Sequence, residues 1–179
     1  LGAMERYEAA RANYEAALAL YEGMDDQKLV AASHGNIGVV YYREGDLQQA
    51  LKSQMLALGI FERIGDLQGL ANTYANIGSI QLDMDAPGAA VKWYKGGLSM
   101  AERIGSHFTA MQLCQGMMDA YVALGDYRSA LESHQRHIAF RDSLFNEENT
   151  RKLTRLEMQY SFDKKEAATK AEQEKKDAV

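Results

Sequence analysis

One cysteine, Cys114, and one proline, Pro87, are all that 179 residues contain of either kind. A single cysteine excludes a fold held together by internal disulfides, although cysteine-poor proteins occur in oxidising compartments too, so the compartment stays open. Scarce proline leaves long helices uninterrupted. No apolar run approaches the roughly 18–20 residues that cross a bilayer, and Leu1-Gly2-Ala3-Met4 lacks the basic and apolar regions of a signal peptide. Positive charge is not in surplus: the net charge is -5, which argues against nucleic acid as a partner. Also missing are a glycine loop with a phosphate-binding lysine, a Gly-x-Ser-x-Gly turn and the paired cysteines of a zinc site. His134 and His137 stand three apart, but no convergent third ligand accompanies them. No catalytic residue, no cofactor and no metal are therefore expected.

What the chain does have is a period. Asn36-Ile37-Gly38 returns as Asn76-Ile77-Gly78, Glu62-Arg63-Ile64-Gly65 returns as Glu102-Arg103-Ile104-Gly105, and Ala50 returns as Ala90 and Ala130, all at a spacing of 40 without insertion. A fixed period in the 20–50 range marks stacked units that cannot bury their apolar faces alone. With 46% apolar residues there is enough material for a core. Each period reads as two helices, typified by Leu67 to Leu82 and by Leu47 to Arg63. Leu47, Ala50, Leu51, Gln54, Leu58 and Phe61 follow helical steps of three and four. Gly45-Asp46, Gly65-Asp66 and Gly125-Asp126 each join a left-handed helix stop to an aspartate able to cap the next helix. Asp46 with Gln49 has capping-box spacing, and Pro87 suits the first turn of a helix. Helices of the second type start near Tyr7, Leu47, Pro87 and Tyr127, those of the first type near Lys28, Gln68 and Phe108. The predicted fold is all-α: a solenoid of antiparallel helix pairs over residues 1–145, with about seven helices, followed by a charged helix over residues 146–179. Small residues at Gly38 and Gly78, at Ala50, Ala90 and Ala130, and at Ala57 and Gly97 imply one close helix contact repeated in each unit. Cys114 falls in phase with His34, which predicts burial and low reactivity. The nine methionines read as core filling or, alternatively, as an adaptable groove.

These features resemble the tetratricopeptide repeat in a forty-residue form, over Arg6 to about Leu144. The residues that carry the resemblance are the Asn-Ile-Gly of the first helix, Tyr41 three beyond Gly38, the Gly45-Asp46 turn, Ala50-Leu51 and Ala57. The resemblance implies a superhelix whose first helices line a concave groove. Asn36 and Asn76 then face that groove, where an amide can both donate to and accept from an extended peptide backbone. Alternatively each asparagine bonds a neighbouring helix. Asn72, Ser79, Asp83, Tyr42, Arg43, Gln112, Gln115 and Asp119 share the same faces. The chaperone-binding form of the family places lysines near these asparagines to clamp a terminal carboxylate. Here Gly35, Val39, Ala75 and Ser79 stand there, which points to a neutral or mixed-charge peptide or protein segment. The last unit departs from the pattern: Gly116-Met117-Met118 replaces Asn-Ile-Gly, and His137 stands where Ala57 and Gly97 stood.

Beyond Glu147 glycine disappears and charge dominates. Glu147 with Arg151, Glu148 with Lys152 and Glu172 with Lys176 pair acid before base at four residues. Leu153, Leu156 and Tyr160 form a short apolar seam in one long helix, whose first half is expected to pack on the array and whose second half is expected to be solvated or to pair with a second copy as a weak coiled coil. The stretch His134 to Phe145, continued by Asn146-Glu147-Glu148, and the later Lys-Ala-Glu-Gln-Glu-Lys-Lys-Asp-Ala run resemble a junction in bacterial signalling proteins, chiefly of the Bacteroidetes type. In those proteins a repeat array precedes a helical linker, a membrane helix and a class III nucleotide cyclase or a sensor histidine kinase. The resemblance implies that this chain is a non-catalytic sensory or scaffold piece of a longer, membrane-anchored parent. It tilts the array to the periplasmic side of an inner membrane, with a cytoplasmic placement as the alternative. The half unit at the start, and the charged run at the end, read as the edges of an excised piece.

Overall fold

A computed structural model of the protein describes the backbone of residues 2–177 and the side-chain surroundings of residues 6–166. It contains α1 (Gly2–Gly23), α2 (Gln27–Glu44), α3 (Leu47–Ile64), α4 (Leu67–Asp83), α5 (Pro87–Arg103), α6 (His107–Ala123) and α7 (Tyr127–Asp177), and no strand among the described residues. The all-α solenoid expected from the period is the fold. Only the first helix starts well away from its expected position, at Gly2 instead of near Tyr7.

The helix boundaries follow from local chemistry. Gly45, Gly65 and Gly125 adopt φ of 84°, 69° and 72°, as does Gly105 at 67°, a region that costs glycine nothing. The remaining two turns use Asp25 and Asp85 at φ 55° and 59°; aspartate visits the left-handed region more readily than most residues, because its short side chain can bond locally. The carboxylates of Asp26, Asp46, Asp66 and Asp126 each accept the backbone N–H three residues on, at 3.0–3.1 Å. Each such cap stabilises its helix by about 1 kcal/mol. Pro87 occupies the first turn of α5, where Ala86 provides no side-chain cap.

Within Leu1–Arg141, one of two compact units, successive helices pack in antiparallel pairs. First-type helices also touch one another, α2 against α4 and α4 against α6, whereas α3 and α5 do not meet. The first-type layer is thus the crowded, inner one. Small residues permit the close pairs: Ala50, Ala57, Ala90 and Ala101 have no exposed surface. A methyl group on Gly97 would come within 2.8 Å of Leu113 and 2.9 Å of Tyr74. The core runs from Ala31, Leu58, Phe61 and Ile77 at one end to Tyr94, Leu98, Leu113 and Met117 at the other.

The seventh helix does not stop where the array's period ends. Phe145 stands in phase with Gly65 and Gly105, so the left-handed stop is missing and the helix continues to Asp177. The compact units meet at Arg141 and Asp142, a few residues before the predicted boundary. The second unit, Asp142–Val179, carries the Glu148–Lys152 ion pair at 2.7 Å; Glu172 and Lys176 lie outside the described side chains. Leu153, Leu156 and Tyr160 are 61%, 65% and 71% exposed. None of the described helices is long and apolar enough to cross a membrane.

Candidate functional site

Three adjoining clefts lie along the inner layer. The largest, about 400 Å³, is lined by residues of α2, α4, α5 and α6, among them Tyr42, Asn76, Ser79, Asp83, Tyr94, Gln112, Gln115 and Asp119. A second, about 200 Å³, is lined by Tyr42, Arg43, Gln54, Asn76 and Ser79 with Gly38, Val39 and Ile80. The third, about 230 Å³, includes Asn36, Gln54, Asn72 and Asn76. Asn76 borders all three. All ten groove residues named from the sequence line this surface.

Their states differ. Asn36 is exposed and Asn76 half-buried, and neither amide has a hydrogen-bond partner among the described residues. Both remain available, and the alternative of a bond to a neighbouring helix is not realised for them. Asn72 does behave that way: its carbonyl oxygen accepts from Gln68 at 3.1 Å and from Thr109 of α6 at 3.4 Å. The Tyr42 hydroxyl donates to Asp83 at 2.5 Å, linking α2 to α4. Burial, and then this bond, push the Tyr42 phenol up to about 12. Gln115 donates to Asp119 at 3.1 Å, and Ser79 donates to the Ala75 carbonyl at 3.2 Å while sharing a 3.1 Å bond with the Tyr94 hydroxyl. Arg43 is exposed and has no ion-pair partner among the described residues.

Two large lining residues, Tyr94 and Gln54, were not among the groove candidates named from the sequence. Both lie on second-type helices, forty residues apart, in the same register. Gln54 is wholly buried; its Nε2 donates to the Gly35 carbonyl at 2.9 Å, and its Oε1 has no partner. Tyr94 is 3% exposed, and methyl groups on Gly78 or Gly116 would come within 2.5 Å of its ring. Burial raises its phenol above the usual range, opposed by the Ser79 bond. A large residue opposite a recurring glycine was the signal that could have found both.

The other candidates settle into structural places. Cys114 is wholly buried and burial raises its thiol. Burial also lowers the imidazole of His34. His134 and His137 stack with centroids 6.3 Å apart, His137 Nδ1 lies 3.0 Å from the Met111 carbonyl oxygen, and no three potential ligands converge among the described residues. No methionine lines the three clefts; Met117 is core and Met100 packs against it.

A family profile described as the tetratricopeptide repeat matches residues 1–53 and 29–103. No curated protein matches the chain. Among solved structures, BtubC (BKLC) from P. vanneervenii superposes with a TM-score of 0.70 at 20% identity, over 78% of this chain and 58% of that one. This chain thus spans well under two thirds of BtubC. The TPR domain of Arabidopsis FLU superposes at 0.62 with 17% identity, over 65% of this chain and 98% of that domain. MamA gives 0.58 with 16% identity, over 80% of this chain and 86% of that one. At such identities the likeness concerns the fold.

Proposed function

The chain belongs to the tetratricopeptide repeat family, and from that premise we propose that its inner surface holds an extended peptide or protein segment. A protein-interaction or scaffold module is the function class of such an array. The observation that carries the specific reading is the pair of unpartnered amides, Asn36 and Asn76, along clefts bordered by all ten polar candidates. An amide that both donates and accepts can follow a peptide backbone without demanding a sequence. Peptides selected from a random phage-displayed library on the full chain test this. Replacing Asn36 and Asn76 by alanine is expected to weaken the selected peptides at least tenfold, about 1.4 kcal/mol, with thermal unfolding unchanged. Undiminished binding removes the groove from consideration.

The finer proposal is that this array is the sensory or scaffold part of a bacterial signal-transduction protein, with a cyclase or kinase output beyond the sequence. Support comes from the junction-like stretch His134 to Phe145 and from the helix that runs on without a stop to Asp177. A ligand would act on the output only through its difference in affinity between two states. The parent gene is the check: a membrane helix and an output domain are expected beyond Val179.

A second reading, self-association, is favoured by the exposed Leu153, Leu156 and Tyr160. Light scattering of the intact chain against one ending at Asn146 separates the two. A dimer lost only on truncation assigns the seam to pairing.

A further inference from the structure

The largest cleft carries an imbalance that the rest of the groove lacks. Asp83 of α4 and Asp119 of α6 both line it, and among the described residues neither forms an ion pair and no lysine or arginine joins the lining. Neutral donors hold the two carboxylates in place, Tyr42 on Asp83 and Gln115 on Asp119. An ionised carboxylate offers about four acceptor positions, so both charges keep unused acceptors. The charges also converge: Asp119 and Asp83 each add to the rise of the Tyr94 phenol, after burial. A further acceptor is idle in the adjoining clefts, where the buried Gln54 Oε1 has no partner. Buried polar atoms are seldom left so. Across the three clefts the surface holds an excess of acceptors, with Arg43 as the one cation lining them among the described residues.

We propose that the cleft between Asp83 and Asp119 receives the side chain of an arginine carried by the segment that the groove binds. The proposal rests on the groove reading above. A guanidinium presents five donors in one plane and is more weakly hydrated than an ammonium, so it can serve two carboxylates from different helices. Its face can lie against the ring of Tyr42, which is half-buried. The cleft, about 400 Å³, is of the size that takes one such group with its neighbours in the segment. A glutamate at that position meets two like charges.

Four pools of fluorescein-labelled nonapeptides, random except for a central arginine, lysine, alanine or glutamate, test this by anisotropy titration of the full chain. Salt of about 0.15 M shortens the reach of surface charge to about 8 Å. The arginine pool is expected to bind at least tenfold more tightly than the alanine and glutamate pools, and more tightly than the lysine pool. Asp83→Asn with Asp119→Asn is expected to abolish that preference. Glu8→Gln with Glu62→Gln, an equal charge change at exposed sites, is expected to keep it, which excludes the net charge of -5 as its origin. Asn36→Ala with Asn76→Ala is expected to weaken all pools alike. If no pool binds, the groove reading falls together with this one. If pools bind without preference, if lysine equals arginine, or if the preference survives the aspartate changes, only the arginine assignment is overturned. Asp119→Asn alone repeats the measurement should the double variant fail to fold.

Discussion

The pair α2–α3 and the pair α4–α5 share one spacing but fill it differently. Gly38 faces Gln54 in the first pair, and Gly78 faces Tyr94 in the second. In the first, a buried amide reaches back to the Gly35 carbonyl and leaves one oxygen idle. In the second, a phenol fills the gap, bonds Ser79 and also lies against Gly116 of α6. Gln54 therefore serves one pair, whereas Tyr94 ties two first-type helices to a second-type helix and shapes the largest cleft. A repeat scaffold can hold its geometry constant and still vary the chemistry of its groove, through the one residue placed opposite each glycine.

The largest expected effect breaks that contrast directly. Tyr94→Ala removes a buried aromatic and should destabilise the array by about 3–5 kcal/mol, measured by urea unfolding. Gln54→Met should stay within about 1.5 kcal/mol, since an apolar side chain of similar shape replaces a half-satisfied polar one. Equal losses would show that the two positions are interchangeable after all. Next come the glycines. Gly78→Ala drives a methyl group into a ring held on both sides, and about 2–3 kcal/mol of overpacking is expected. Gly38→Ala meets the Gln54 amide at 2.8 Å and the Ala50 carbonyl oxygen at 3.2 Å, and the gain in helix propensity of about 1 kcal/mol offsets part of its strain. Its unfolding midpoint should move less than that of Gly78→Ala.

The smallest effect sits in the turn between the two pairs. Asp66 caps α4, and its carboxyl is held below the usual range by the Gly69 N–H and then by Lys28 of α2, 2.8 Å away. A depressed folded pKa means that this stabilisation is complete above the ordinary value of 3.8 and is lost as pH falls through the lower folded value. Asp66→Ala is thus expected to cost about 1 kcal/mol at neutral pH. The difference from the parent chain should vanish in acid, as followed by circular dichroism during urea unfolding at several pH values. A difference that persists in acid would assign the loss to packing instead of capping.

Much of this was legible because it is local. The stops at Gly45, Gly65 and Gly125, the aspartate caps and the start of α5 at Pro87 depend on residues a few positions apart. The cleft-lining Asn36 and Asn76 were marked in the sequence by their return at the repeat period, each two residues before a recurring glycine. Other features escaped. Asp25 and Asp85 took left-handed turns without a glycine to announce them. The missing stop at Phe145 was readable as a substitution in phase, yet the run of α7 past it joined two segments that composition alone had separated.

The helical class, the period and the glycine-marked ends of the array helices were determined by the sequence alone, since they rest on contacts three or four residues apart and on a spacing that repeats them. Which side chains share a cleft was decided only by the tertiary structure. Tyr42, Asp83, Tyr94 and Asp119 come from four helices, and the stacking of helix pairs, a through-space relation, sets which of them meet and which atoms stay unpaired.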